Sequence, residues 1–206
     1  MPFLPPPDPG IEISIASTGM SKGISQTDGP QIVARGELAF GDFYLAGLAK
    51  NLDSANSGGE LQLSTGGRFK LGKADIAVSV AYKRWIDPAE QQDDEAAELV
   101  VSASRAFGKV TPRAQLVYSP DDLGSTNHST YAEVGIGWKP MSSLTLSANV
   151  GRRRRGNGVG YAAFNAGLAY AFSRNFTAEA RWYDTNKSDV DEPYKRRVVA
   201  LVRAKF

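Results

Sequence analysis

Apolar and polar residues alternate along most of this chain with a period of two, and a 3.6-residue period is almost absent from Gly10 onward. Ile32, Ala34, Gly36, Leu38 and Phe40 alternate with Val33, Arg35, Glu37 and Ala39, so a strand there has one apolar and one polar face. The same rhythm runs through Leu61, Leu63 and Phe69, through Ile76, Val78, Val80 and Tyr82, through Val134, Ile136 and Trp138, and through Phe164, Leu168, Tyr170 and Phe172. It predicts twelve strands near 10–20, 31–40, 43–52, 60–70, 74–85, 96–107, 110–118, 130–139, 144–153, 161–172, 176–184 and 194–206. The first of these and 43–52 fit either phase.

The connectors alternate between short and long. Gly41-Asp42, Leu71 to Lys73, Gly108-Lys109, Pro140 to Ser143 and Ser173 to Asn175 read as tight turns, whereas 21–30, 53–59, 86–95, 119–129, 154–160 and 185–193 read as long polar loops. An even number of strands of about ten residues, with short turns at one end and longer loops at the other, predicts a single antiparallel up-and-down transmembrane β-barrel. About 60% of the chain would be strand, against the roughly 20–25% usual in soluble domains. The competing reading is a soluble barrel or sandwich with its apolar side chains turned inward.

Aromatic positions favour the membrane barrel, whose two interfaces carry girdles of amphipathic rings. Phe40, Phe43, Phe69, Phe107, Trp138, Phe172 and Phe176 fall beside the short turns, as does Phe206 at the C-terminus. Tyr82, Trp85, Tyr118, Tyr131, Tyr161, Trp182 and Tyr194 fall near the long loops and are expected to form the second girdle.

Composition removes most chemistry. There is no Cys and one His in 206 residues, which excludes disulfide frameworks, thiol catalysis and His-cluster metal sites. The sole histidine, His128, adjoins Ser129 in a predicted loop; adjacent side chains diverge in an extended segment, so a hydrolase pair is not expected. The acidic stretch Glu90, Asp93, Asp94 and Glu95 lacks the sharp Gly turn of a calcium loop, and Gly156 to Gly160 opens no helix that would cradle phosphate. No catalytic residue, metal or cofactor is expected. With 24 Lys and Arg against 22 Asp and Glu, bulk charge points to no nucleic-acid partner. The run Met1 to Pro9 carries no secretory signal pattern and reads as a Pro-rich leader or linker, leaving 10–206 as the barrel.

Lys22-Gly23-Ile24-Ser25-Gln26-Thr27-Asp28-Gly29-Pro30, between the first two strands, resembles the Arg-Gly-Ile-Ser-Gln-Thr-Asp-Gly stretch of TorF family porins, small outer-membrane barrels of Gram-negative bacteria. Lys22 stands where that family usually has Arg, and Ser17 to Ser21 replace its aromatic-rich approach. The resemblance implies an outer-membrane location and a channel-like role, and it carries over no substrate or catalytic residue. The stretch Val198 to Phe206 resembles the terminal strand signal read by the barrel-assembly machinery, with Phe206 as its aromatic.

If the polar faces line a lumen, its side chains are Arg35, Glu37, Glu60, Arg68, Asp75, Lys83, Glu98, Arg113, Glu133, Arg153, Glu179, Arg181, Arg197 and Arg203. The basic ones are in modest excess, and a narrow low-dielectric tube focuses such an excess into a weak preference for anions. The expected function is a passive channel for small hydrophilic solutes, in a monomer contacting outer-membrane lipid and lipopolysaccharide. The alternative is a barrel plugged by Arg–Glu pairs that serves a structural, lipid-contacting or partner-docking role. Arg152 to Arg155 are expected at the outer interface, alternately facing the lumen mouth and lipopolysaccharide phosphates. The loops at 21–30, 86–95, 119–129 and 185–193 are expected to face outside ligands.

Overall fold

The computed structural model describes residues 6–54, 57–90, 93–124 and 126–206. Twelve antiparallel strands form one closed barrel. In chain order the strands are β1 (Asp8–Ala16), a small hairpin of β2 (Met20–Ser21) and β3 (Ile24–Ser25), then β4 (Gln31–Phe40), β5 (Phe43–Ser54), β6 (Ser57–Leu71), β7 (Ala74–Ile86) and β8 (Glu95–Ser104). They continue with β9 (Val110–Asp122), β10 (Asn127–Met141), β11 (Leu144–Arg155), β12 (Tyr161–Ala171), β13 (Phe176–Thr185) and β14 (Arg197–Lys205). A 3-10 turn, Glu192–Tyr194, precedes β14. Each wall strand pairs with its sequence neighbour, and β1 closes the ring by pairing with both β4 and β14. The β2–β3 hairpin is not a member of that ring and forms its own two-stranded sheet.

Strand phase follows the alternation. Ile13, Leu63, Val80, Leu116, Val134, Ile136, Leu168 and Val202 are all more than 40% exposed, so the wall presents a continuous apolar outer face. A water-soluble protein does not expose so much contiguous apolar surface, but a barrel in lipid requires it. The opposite face carries small residues such as Ala46, Ser64, Ala81 and Ala163, which leave room for long charged side chains. At the short-turn end, Gly72 takes a positive φ of 62°, which a tight reversal requires and a Cβ would penalise.

Several boundaries differ from expectation. The predicted loops 53–59 and 119–129 are mostly strand, because β5, β6, β9 and β10 continue their ladders beyond the polar onset. The first strand ends at Ala16, and the chain then turns inward. The last strand starts at Arg197, after the Glu192–Tyr194 turn. β1 already includes Asp8 and Pro9, paired with Ala39 and Leu38, so the barrel begins two residues before the expected leader boundary. Residues 1–5 of that leader lie outside the described residues.

Phe43, Phe69, Phe107, Trp138, Phe172, Phe176 and Phe206 are exposed near the turn end, and Phe40 is half-buried beside Phe43. At the loop end, Tyr82, Tyr118 and Trp182 are exposed on the outer face. Trp85, Tyr131, Tyr161 and Tyr194 do not belong to that girdle. Tyr131, Tyr161 and Tyr194 are buried, and Trp85, half-buried, lines an internal cleft with Tyr194. Their distance along the strand suits a girdle, but their parity does not: Trp85 shares a face with Lys83, Tyr131 with Glu133, and Tyr161 with Asn165.

Introducing a charge on the outer wall should be costly in lipid. Leu63→Arg, near the middle of β6, is expected to destabilise the barrel by about 2–4 kcal/mol in urea unfolding from lipid vesicles. Gln62→Lys, on the inner face, should cost far less.

Candidate functional site

Inside a closed barrel, side chains converge, so residues on strands that are not neighbours can bond across the strand between them. Arg68 of β6 donates to Glu37 of β4 at 2.6 and 2.8 Å, Arg113 of β9 reaches Asn149 of β11, and Arg181 of β13 reaches Ser147 of β11. These contacts place Glu37, Arg68, Arg113 and Arg181 on the concave face, and Arg35, which bonds Glu37 two residues on, shares it.

They form three tiers. Near the turn end, Glu37 accepts from both Arg35 and Arg68, and the Arg68 guanidinium lies 4.1 Å from the Tyr44 ring centre. Asp75 pairs with Lys70 at the exposed rim, and Glu12 bridges Arg203 and Lys205. In the middle, Asn165 accepts from Asn149 and Arg181, Arg181 also bonds Glu179, and Glu133 accepts from the Tyr131 hydroxyl. Arg113 finds the amide oxygen of Asn149 as its partner rather than a carboxylate.

The outer tier is the most heavily paired. Glu98 takes both Lys22 and Lys83, Asp122 takes Arg153, Ser129 and, at 3.8 Å, Lys22, and Glu60 takes Lys50 at 3.0 Å. Glu60, Glu98, Asp122 and Arg153 are each buried. At the mouth, Arg197 bonds the Glu192 carbonyl and Arg155 lies over the Tyr161 ring with Tyr194 beside it.

Lys22 reaches this tier because the 17–30 segment folds into the lumen, whereas its 21–30 part was expected to face outward. Met20 pairs with Ser25 and Ser21 with Ile24, and the two residues between them, Lys22 and Gly23, have φ of 50° and 85°. Positive φ at both central positions is the type I′ turn that fits the twist of a two-residue hairpin. Gly23 satisfies this without penalty, and a Cβ there would collide with Ala163. Lys22 bears the left-handed conformation at a cost of about 1–2 kcal/mol, offset by its two carboxylates.

The hairpin is fastened along its length. The Tyr161 hydroxyl donates to the Lys22 carbonyl at 2.9 Å, Ile24 packs on Tyr161, Ala163 and Tyr194, and Lys50 donates to Gln26. Thr27, 1% exposed, accepts from the Gly19 amide and donates to the Gly29 carbonyl. Burial pulls the pKa of the Lys22 ammonium below its ordinary value, with Arg153 and Lys83 adding to that effect and Glu98 and Asp122 opposing it.

The hairpin divides the lumen. On the loop side lies a cleft of about 320 Å³ lined by Gln26, Trp85, Arg153, Arg155 and Tyr194; below lies a chamber of about 470 Å³ lined by Lys22, Arg113, Glu133, Asn149 and Arg181.

A model of the Gcw_chp family, described as a bacterial protein of unknown function, matches residues 7–206. The chain belongs to that family. No curated protein matches it in sequence. In fold, this Gcw_chp barrel is similar to the KdgM porin, with a TM-score of 0.69 at 9% identity over 96% of this chain and 99% of that one. It is also similar to the NanC porin, with a TM-score of 0.63 at 8% identity over 97% and 99% of the two chains. A third similar structure is the COG4313 outer membrane channel from Pseudomonas putida F1, with a TM-score of 0.58 at 12% identity over 98% and 96%. A closed barrel with an apolar outer wall, in a bacterial family, is an outer-membrane β-barrel with the fold of those porins.

Lys22, Lys50 and Asp122 escaped the sequence reading of the lumen. Lys50 shares its face with the apolar Ala46, which hid the strand's phase, and Asp122 fell inside a predicted loop. Lys22 carried a signal, the X-Gly pair of a tight turn, but nothing local showed which way the turn would point.

Replacing Lys22 separates turn geometry from charge. Lys22→Asn keeps a residue that tolerates positive φ but removes the ammonium, and proteinase K should then nick segment 17–30 about tenfold faster, the equivalent of about 1.4 kcal/mol. A nicking rate equal to wild type would mean that the turn alone seats the hairpin.

Proposed function

We propose that this Gcw_chp barrel is a passive outer-membrane channel for small hydrophilic solutes, with a weak preference for anions. The observation that carries this reading is a polar inner face that continues from the mouth to the short turns, with open chambers on both sides of the hairpin. The similarity of Lys22 to Pro30 to TorF family porins supports the same role. Anion preference rests on the middle tier, where the Arg113 charge meets an amide rather than a carboxylate and stays available to passing ions. Outer-membrane lipid and lipopolysaccharide surround the wall, and the alternating β14 strand with outward Val198, Ala200 and Val202 would be read by the barrel-assembly machinery.

The seated hairpin favours a second reading in which the resting barrel conducts little. Its Lys22 to Gln26 segment stands between the two chambers, tied there by Lys22 to Glu98 and Asp122 rather than by the Arg–Glu pairs expected of a plug.

Planar-bilayer recording under a KCl gradient tests both. The channel reading expects discrete conductance steps with an anion-biased reversal potential, and Arg113→Ala should move that potential toward the cation side. Deleting residues 20–25 should raise single-channel conductance if the hairpin constricts an open pore. If wild type is silent and the deletion conducts, the plugged reading holds; silence from both, in protein shown to be folded and inserted, overturns the channel.

A further inference from the structure

On the outer wall at the loop end, β11 presents two guanidiniums that the protein does not neutralise. Arg153 and Arg155 turn into the lumen, whereas Arg152 and Arg154 are exposed on the opposite face. Among the described residues, neither Arg152 nor Arg154 has a carboxylate within ion-pair distance. Arg84, on the same outer face of β7, faces Asp94 and Glu95 at 3.6 and 3.8 Å. The lack of a counter-charge therefore sets the β11 arginines apart from Arg84 of β7.

The surroundings say what kind of anion would fit. Arg152 and Arg154 are two residues apart on one face, about 7 Å by strand rise, so both forks can engage the phosphates of one headgroup. Arg152 pairs laterally with Ala132 and Ala162, small residues that leave its guanidinium uncovered. One step further into the membrane on the same face, Val150 lies between Val134 and Phe164, each of them at least 40% exposed. Phosphate-binding forks directly above an apolar shelf suit an amphiphile whose phosphates sit at the boundary and whose acyl chains lie on the wall.

We propose that Arg152 and Arg154 form a clamp for the phosphorylated glycolipid of the outer leaflet, with Val134, Val150 and Phe164 as the seat for its acyl chains. The clamp rests on the outer-membrane placement and not on conduction.

Native mass spectrometry of the folded protein in detergent, titrated with diphosphoryl lipid A, reads it directly. The double variant Arg152→Ala/Arg154→Ala should bind about tenfold or more weakly than wild type, since both phosphate-binding forks are lost. Arg84→Ala should bind as wild type does, and Arg152→Lys/Arg154→Lys should fall between, since it keeps charge but loses the fork. Heat-dependent gel mobility verifies that each variant is a folded barrel. Equal binding by wild type and the double alanine variant overturns the clamp. So does equally tight binding of dephosphorylated lipid A, which would show that only acyl chains are recognised. Displacement of the lipid by millimolar inorganic phosphate would show a free-phosphate site and overturn the glycolipid as its occupant.

Discussion

Closure of the sheet is the constraint on which everything else in this protein depends. In hydrocarbon, an unpaired backbone N–H or C=O costs several kcal/mol, roughly, so no strand can be left with a bare edge. β1 meets that demand by pairing with β14 on one side and β4 on the other, and Ile11 and Phe206 exchange backbone bonds to extend the seam. Once the ring is closed, the two faces of every strand become two different solvents. The outer face must be apolar, and the inner face is free to hold charge.

The inner face uses that freedom in a graded way. At the turn end, partly exposed pairs such as Lys70 with Asp75 and Glu12 with Lys205 are screened by water and contribute little. Toward the loop end the charges are buried and share partners, as Glu98 does with Lys22 and Lys83. Such a cluster costs desolvation, which is recovered only when each carboxylate meets more than one cation or donor. Its placement around the β2–β3 hairpin makes the outer tier the place where the lumen narrows and where a small rearrangement would change it most.

The hairpin itself shows how local and distant interactions combine. Lys22 accepts a backbone conformation that favours Gly or Asn, and the penalty is met by carboxylates on β8 and β9, far away in sequence. Tyr161 and Tyr194, 5.3 Å apart edge to face, supply the wall against which Ile24 packs. Two rings that would suit a membrane interface are thereby turned inward to hold the hairpin.

The alternation, read with the connector lengths and the aromatic positions, gave the barrel fold and a count of twelve wall strands, and by itself showed which of Arg35, Glu37, Lys83 or Glu98 shares a face with its strand neighbours, because a period of two is a local property and a barrel has only two faces. It also held the means to assign Trp85, Tyr131 and Tyr161 inward, since parity outranks height along a strand. Strand ends at Asp122 and Asn127 were less legible, because a polar residue is equally at home in a loop and in the mouth of a lumen. Only the tertiary structure decided where segment 17–30 goes and which charges meet. Lys22 finds Glu98 and Asp122 through the curvature of a closed sheet, which brings strands together across a space that no stretch of sequence describes.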